Sequence, residues 1–187
     1  MSDTNTTYRN PKRIRLTIGC VYLSTYYTHD DRGVIAKARE VLDRHNIELD
    51  VFPANGAKSP FNTINHDQLP KDTMEDYTVI YNMAKAKLKQ MGCTFAIPLP
   101  VVFGQYKSYG YGIAPKVHKQ HLTRLVMIAP TGNADKMDLL HEIGHAAELQ
   151  HDNRDGPPRN FMHEASPRSV MYQYQVQAVA KALFSVG

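Results

Sequence analysis

The spacing of apolar positions predicts a strand, a helix and a second strand in the first third of the chain. Residues 13–24 alternate between polar and apolar side chains and then become continuously apolar, which is typical of a strand. Residues 30–46 place apolar side chains at helical spacing, and Asp30 or Asp31 can cap this helix. Residues 47–54 predict the second strand. We therefore expect a β–α–β unit with a right-handed crossover.

The middle of the chain predicts a second helix followed by an interrupted strand. Residues 72–92 have helical spacing and end at Gly92, a residue that favours a helix C-terminus. Residues 93–104 are mostly apolar and predict a strand, but they contain Pro98 and Pro100. Because proline has no N–H for a ladder hydrogen bond, we expect this strand to lie at a sheet edge or at a bulge.

The last part of the chain predicts two strands, two helices and a long loop. The segments are a short tyrosine- and glycine-rich edge strand at 105–115, an apolar strand at 124–130, a helix at 133–149, a loop at 151–168 and a final helix at 172–186. We expect Asn133 or Asp135 to cap the helix at 133–149, because their short polar side chains accept hydrogen bonds from a first helical turn.

Length and composition fit a single globular domain. The chain has 187 residues, of which 42% are hydrophobic and 21% are charged, so it can bury one sizeable core. The polar residues 1–12 predict a flexible N-terminus, and residues 13–187 predict one domain. The net charge of +4 and the pI near 9.0 are too small to indicate nucleic-acid binding by themselves.

Cysteine content and hydropathy predict the compartment. Cys20 and Cys93 are too few for a disulfide framework, and both fall in predicted strands, so we expect buried thiols in a reducing environment. We expect no membrane-spanning helix, because no apolar run reaches the required length of about 18 residues. The polar N-terminus is unlike a secretory signal. We therefore expect a cytoplasmic protein, with export as a signal-less effector as the alternative.

A cluster of histidines and acids falls inside the helix predicted at 133–149. The string HEIGHAAELQHD covers residues 141–152, and on a helix His141 and His145 lie about 40° apart, on one face. Zinc binds imidazole nitrogens, and catalytic zinc sites use three protein ligands and a water. Glu142 can act as the base that takes the proton of that water. The alternative is an amphipathic helix with two surface histidines, but the apolar neighbours favour a buried metal site.

The third ligand depends on where this helix ends. If the helix continued, His151 would point about 120° away from His145 and lie about 9 Å further along the axis. His151 can therefore bind the same ion only if the helix stops near residue 148. Glu164 is the competing third ligand, although its proline- and serine-rich loop disfavours it. Asp152 could instead orient a ligand through a hydrogen bond. We expect His151 to complete a Zn²⁺ site.

The string HEIGHAAELQH resembles the metzincin signature HExxHxxGxxH, with Glu148 in place of the glycine. The resemblance implies an α+β zincin fold and a zinc metalloendopeptidase that hydrolyses peptide bonds. An upper lobe at 13–150 would hold a twisted, mostly parallel sheet, a backing helix and the active-site helix. A small lower lobe at 151–187 would hold the third histidine, a methionine turn and the final helix. Glu148 departs from the signature, which has glycine at this position. A residue other than glycine in the left-handed conformation costs about 1–2 kcal/mol.

The resemblance also implies roles for residues outside the active-site helix. Met162 in the string NFMH is the expected methionine turn, with Met171 as the alternative. Tyr172 or Tyr174 would stabilise the oxyanion of the reaction, unless both only pack in the final helix. An extended substrate would pair with an edge strand formed by Tyr109, Gly110, Tyr111, Gly112, Ile113 and Ala114. A mobile tyrosine-rich loop is the alternative for this segment.

Two other functions stay open. A DNA-associated protease of the WLM or SprT-like kind shares HExxH and a later histidine, and the basic pI would suit DNA. The methionine string and the β–α–β unit argue against it. A catalytically silent zinc-binding module is the other function, and the intact Glu142 argues against that. We expect a peptide or protein as the partner, and neither nucleic acid nor a membrane.

Overall fold

The structure is a computed structural model that describes residues 7–23, 31–54, 63–64, 77–97, 99–104, 110–113, 124–128, 135–154, 156 and 159–184. Its elements in chain order are β1 (Ile14–Leu23), α1 (Asp31–Arg44), β2 (Ile47–Phe52), β3 (Thr63–Ile64), α2 (Tyr77–Gln90), β4 (Leu99–Phe103), β5 (Gly110–Ile113), β6 (Leu125–Ile128), α3 (Asp138–Ala146), β7 (Arg159–Asn160), β8 (Arg168–Val170) and α4 (Gln173–Phe184).

The main sheet is mostly parallel. Its strand order is β2–β1–β4–β6–β5, and β3 also pairs with β1. β1 runs parallel to β2, β3 and β4, and β4 runs parallel to β6. β5 is antiparallel to β6 and ends the strand order in the described part of the chain. These features confirm an α+β fold with a mostly parallel sheet, and α1 joins the parallel strands β1 and β2 as the sequence predicts.

The sheet separates two apolar clusters, because successive residues of a strand point to opposite faces. Val101 and Phe103 of β4 join the larger cluster, which contains residues of α1, α3 and α4. Val102, between them, joins the smaller cluster with Ile80 and Leu88 of α2. β4 and β6 are buried at every position, as expected for strands covered on both faces. The helix that carries the histidines, α3, therefore lies on the α1 side and packs against β5 and β6.

The strand predicted at 93–104 differs from the structure in length and position. β4 begins only at Leu99, and it lies between β1 and β6 rather than at an edge. Pro100 is tolerated there because pairing with β6 begins at Val101, so the proline lies beyond the last residue paired on that side. Cys93 accordingly lies outside any strand and is half-exposed, whereas Cys20 is buried in β1 as predicted.

The boundaries of helix α3 and of the following loop also differ from the prediction. α3 begins at Asp138, and Met137 at its N-cap makes no side-chain capping bond. Asp135 was expected as the cap, but it accepts a hydrogen bond from the N–H of Met137 and pairs with Arg168; Asn133 lies outside the described residues. The segment 151–168, predicted as loop, contributes β7 and the first residue of β8, which pair in parallel.

Part of the predicted flexible N-terminus contacts the fold. Residues 1–6 lie outside the described ranges, but the Asn10 N–H donates to the His45 carbonyl at 3.1 Å. The Asn46 side chain donates in turn to the Asn10 carbonyl at 2.9 Å. Among the helices that the structure describes, none is long and apolar enough to cross a membrane.

Candidate metal centre

The histidines are positioned by a helix that is buried along most of its length. Asp138 to Gly144 and Ala146 are all buried, and the apolar members of α3 belong to the larger cluster. His141 is 6% exposed, and His145, one turn further on, is partly exposed. α3 is thus fixed by its apolar face while its two histidines share one side of the helix.

The C-terminus of α3 is a tight left-handed turn centred on Glu148. The Leu149 N–H donates to the Gly144 carbonyl at 3.0 Å, and the Glu148 N–H donates to the His145 carbonyl at 2.8 Å. These are the two hydrogen bonds of a Schellman motif. Glu148 has a φ of +71°. The helix therefore ends before His151, which confirms the condition for His151 to approach the other two histidines.

Arg124 stabilises this turn from the neighbouring strand. It precedes β6, and its Nε donates to the Ala146 carbonyl at 2.9 Å. Its Nη2 lies 3.4 Å from a carboxylate oxygen of Glu148. A cation beside the free carbonyls of a helix C-terminus is favourable. This pair offsets part of the conformational cost of a left-handed glutamate, and it gives a reason why the side chain at position 148 need not be glycine.

The three histidines converge through their Nε2 atoms. His141 and His145 have these atoms 3.2 Å apart, His141 and His151 3.3 Å, and His145 and His151 3.1 Å. Imidazole nitrogens at 2.0–2.1 Å from a tetrahedral zinc would be separated by about 3.3 Å. The ligand atoms therefore have the spacing that a single ion requires, and within the described residues they form a group that could hold a metal.

Each imidazole is held from behind through its other nitrogen. His141 Nδ1 donates to the Phe161 carbonyl at 2.7 Å, and His145 Nδ1 donates to the Leu149 carbonyl at 2.9 Å. His151 Nδ1 lies 2.8 Å from Oε1 of Glu164. Because all three partners are oxygen acceptors, Nδ1 is the nitrogen through which each ring donates. The three Nε2 atoms are thereby left facing one another, an arrangement that a shared cation suits.

Burial keeps the two helical histidines neutral. It lowers the pKa of His141 to about 3, although the hydrogen bond to Phe161 opposes the shift. Burial also lowers the pKa of His145. Metal binding requires the neutral imidazole, so protons compete little with an ion at these two rings at neutral pH.

No protein-family model matches the chain, and no curated protein matches it significantly.

A hydrogen-bonded turn lies beside the site, and its Phe161 carbonyl is the acceptor for His141 Nδ1. The His163 N–H donates to the Asn160 carbonyl at 3.1 Å, and the Met162 N–H donates to Asn160 Oδ1 at 2.9 Å. Asn160 Nδ2 donates to the carbonyl of Asp152 at 2.8 Å, and the Asp152 N–H donates to the Met162 carbonyl at 3.0 Å. The segment that follows His151 is therefore joined directly to the turn at Met162.

Met162 packs against α3 at the one residue that has no side chain. A Cβ built at Gly144 would overlap the sulfur of Met162 and lie 2.7 Å from Cε2 of Phe161. Gly144 lies between His141 and His145, so Met162 is in contact with the part of the helix that carries both. Met171 is buried in the same cluster and immediately precedes α4. Met162 stays the residue predicted for the methionine turn, and its contact with Gly144 places it beside the helix that carries the two histidines.

Asp152 and Glu164 make contacts that differ from those expected from the sequence. Asp152 was considered as a residue that orients a ligand, but its carboxylate accepts two hydrogen bonds of 2.7 Å from Arg154 and one from the Tyr174 hydroxyl. The Arg154 guanidinium holds the pKa of Asp152 well below its usual range. Glu164 was considered as a competing ligand, but it contacts Nδ1 of His151, on the side of the ring opposite Nε2.

The two tyrosines and the edge segment are placed as follows. Tyr172 is buried, and its N–H donates to Gln175 Oε1 at 2.9 Å. Burial and Asp152 raise the pKa of Tyr174 to about 12, so its hydroxyl keeps its proton. Of the predicted substrate strand, residues 110–113 form β5, whereas Tyr109 and Ala114 lie outside the described residues.

Some contributions to the site have no signal in the sequence pattern. Arg124 reaches Ala146 across 22 positions, and no local spacing relates the two. Asn160 did carry a signal, because it belongs to the string NFMH, but its hydrogen bonds to Asp152 and Gln175 could not be read from that string.

Proposed function

We propose that this chain is a zinc-dependent endopeptidase of the metzincin type. The observation that carries the proposal is the convergence of three Nε2 atoms at 3.1–3.3 Å, with each Nδ1 bound to an oxygen. His141, His145 and His151 would hold the ion. Three imidazoles with this spacing suit Zn²⁺, which accepts nitrogen ligands in tetrahedral geometry.

Glu142 is the residue proposed for proton transfer. A zinc ion held by His141, His145 and His151 would supply Lewis-acid chemistry for a bound water and a substrate carbonyl. Glu142 is buried in α3, directly after His141. Its carboxylate accepts a proton from the attacking water and then delivers that proton to the leaving amine nitrogen. The peptide C–N bond breaks, and the water oxygen becomes part of the new carboxyl group.

β5 is the element proposed to bind the substrate. It ends the strand order of the main sheet in the described residues, and α3 packs beside it. An extended peptide added to such an edge gains main-chain hydrogen bonds, whatever its sequence. Gly110 and Gly112 of β5 would allow its backbone to approach closely.

The experiment that tests the proposal compares Glu142→Gln with wild-type protein. Both are loaded with zinc and incubated with a mixture of unfolded proteins, and new N-termini are identified by mass spectrometry. We expect wild type to cleave and Glu142→Gln to be slower by about 10²–10⁴-fold, because the proton acceptor is lost. Glu40→Gln, at an exposed position of α1, is the matched control and should cleave like wild type.

The zinc content of the variants separates loss of chemistry from loss of the site. Glu142→Gln should retain zinc, whereas His141→Ala should lose it. Equal cleavage by wild type and Glu142→Gln would contradict the proposed role of Glu142. Zinc binding by wild type without any cleavage would indicate a silent zinc-binding module and would also contradict the proposal.

A further inference from the structure

The three histidines of the candidate metal centre are not supported in the same way. His141 and His145 donate to the backbone carbonyls of Phe161 and Leu149. His151 is supported by a side chain, the carboxylate of Glu164. His151 also has the most exposed side chain of the three, at 40%. The position of the third ligand therefore depends on one carboxylate rather than on the backbone.

Glu164 is itself held in place. Its Oε1 contacts His151 Nδ1 at 2.8 Å, while its Oε2 accepts a hydrogen bond from Asn153 Nδ2 at 2.9 Å. The Asn153 side chain also accepts a hydrogen bond from the Glu164 N–H at 3.0 Å. Asn153 therefore binds both the backbone and the carboxylate of Glu164. A side chain with 59% exposure would otherwise sample many rotamers, so this pair of bonds selects one.

The geometry suits a carboxylate that tunes a metal-binding imidazole. An acceptor on Nδ1 fixes the tautomer and orientation of the ring, and a negative acceptor raises the basicity of the opposite nitrogen. Loss of such a partner typically weakens metal binding by about 10–100-fold. The two backbone carbonyls behind His141 and His145 offer orientation but no full charge. Of the three histidines, His151 is therefore the one whose metal affinity a negative charge on Nδ1 can raise.

We propose that Glu164, held by Asn153, is a positioning residue that sets the metal affinity of the site through His151. This inference rests on the proposed function, because it requires that the three histidines bind zinc. It assigns to Glu164 a role behind the third ligand instead of the role of a ligand. It also assigns to Asn153, an exposed residue outside the histidine cluster, an effect on metal retention.

The test measures zinc affinity by competition with a chromophoric chelator. The variants are Glu164→Gln, which removes the charge and keeps an acceptor, Glu164→Ala, which removes both, and Asn153→Ala. We expect Glu164→Ala to bind zinc about 10–100-fold more weakly than wild type, with Glu164→Gln and Asn153→Ala in between. Glu40→Gln is the charge-matched control and should bind zinc like wild type. Release of zinc to excess chelator should be faster in the same order.

A second set of measurements separates positioning from a general structural effect. In a His151→Ala background, Glu164→Ala should leave the residual zinc affinity unchanged, because the residue through which it acts is gone. An equal loss in both backgrounds would overturn the proposal. So would wild-type affinity in Glu164→Ala alongside weakened binding in His151→Ala, a result that would leave the metal site itself standing. If wild type and His141→Ala bound zinc equally poorly, the proposed function would fail together with this inference.

Discussion

At Gly144, helix α3 is in close contact with Met162 and Phe161. Gly144 lies inside α3, where glycine is normally unfavourable by about 1 kcal/mol relative to alanine. The sulfur of Met162 and the ring of Phe161 occupy the space that a side chain would need. The glycine is therefore explained by packing, and the two residues behind the histidines are held against the helix backbone.

Gly144→Ala should destabilise the protein although alanine favours a helix. We expect a loss of about 1–3 kcal/mol in the free energy of unfolding, because Met162 and Phe161 must move to admit the methyl group. Chemical denaturation measures this change. Gly156→Ala is the matched control, since nothing lies within 4 Å of a Cβ there, and its stability should equal or slightly exceed that of wild type. If Gly144→Ala stabilised the protein, Met162 and Phe161 could not pack as closely against Gly144 as described.

At the scale of elements, α3 is fixed at both ends by arginines from other parts of the chain. Arg124 binds the C-terminal turn. At the other end, Arg168 of β8 binds Asp138 at 2.6 Å and Asp135 at 3.2 Å, and all three side chains are at least 94% buried. Burial raises the pKa of Asp135, but the bonds from Arg168 and the backbone outweigh it, and the pKa is lowered. Arg168 is therefore the shared counter-charge of two buried carboxylates.

Arg168→Met should be strongly destabilising. Removing one partner of a buried ion pair leaves uncompensated charge and typically costs about 3–5 kcal/mol. Thermal and chemical denaturation measure the loss. Arg13→Met is the control, because Arg13 forms exposed ion pairs with Asp43 and Glu48, where the expected change is within about 1 kcal/mol. Similar effects of the two substitutions would contradict the buried network.

At the scale of the whole molecule, several buried groups make stability depend on pH in the same direction. Burial lowers the pKa values of His45, His141 and His145. Between about pH 6.5 and the lowered folded-state values, the unfolded chain binds protons that the folded chain does not. Stability must therefore fall as the pH falls through this range. Asp135, with its lowered pKa, extends the loss to lower pH.

The metal-free protein should lose stability steadily below about pH 6.5. Each histidine that stays neutral in the fold contributes up to about 1.4 kcal/mol per pH unit. Denaturation curves in the presence of a chelator, recorded between pH 7.5 and pH 5, measure the slope. His141→Asn should make the slope shallower, because one of the contributing groups is gone. An unchanged slope in this variant would contradict the lowered pKa of His141 in the folded protein.

The sequence predicted those features that depend on local periodicity. The spacing of His141 and His145 and the β–α–β unit follow from side chains close together in the chain. The helix was predicted at 133–149, and its end near residue 148 was stated only as the condition for His151 to join the other two histidines. The central position of β4 did not follow, because Pro100 is acceptable wherever pairing begins after it. The roles of Asp152 and Glu164 were also not predictable. Both are acids near His151, and only the path of the turn at Asn160 decides which of them reaches its ring.

The Schellman turn has a consequence for the kinetics of metal loading. Its hydrogen bonds, and the bond between Asp152 and Met162, join main-chain atoms and do not involve the ion. These main-chain bonds already hold the loop between His145 and His151 in place. A metal ion that binds there would therefore cause little further loss of chain entropy. We therefore expect that a metal ion, if bound, can enter and leave this site without unfolding of the surrounding chain.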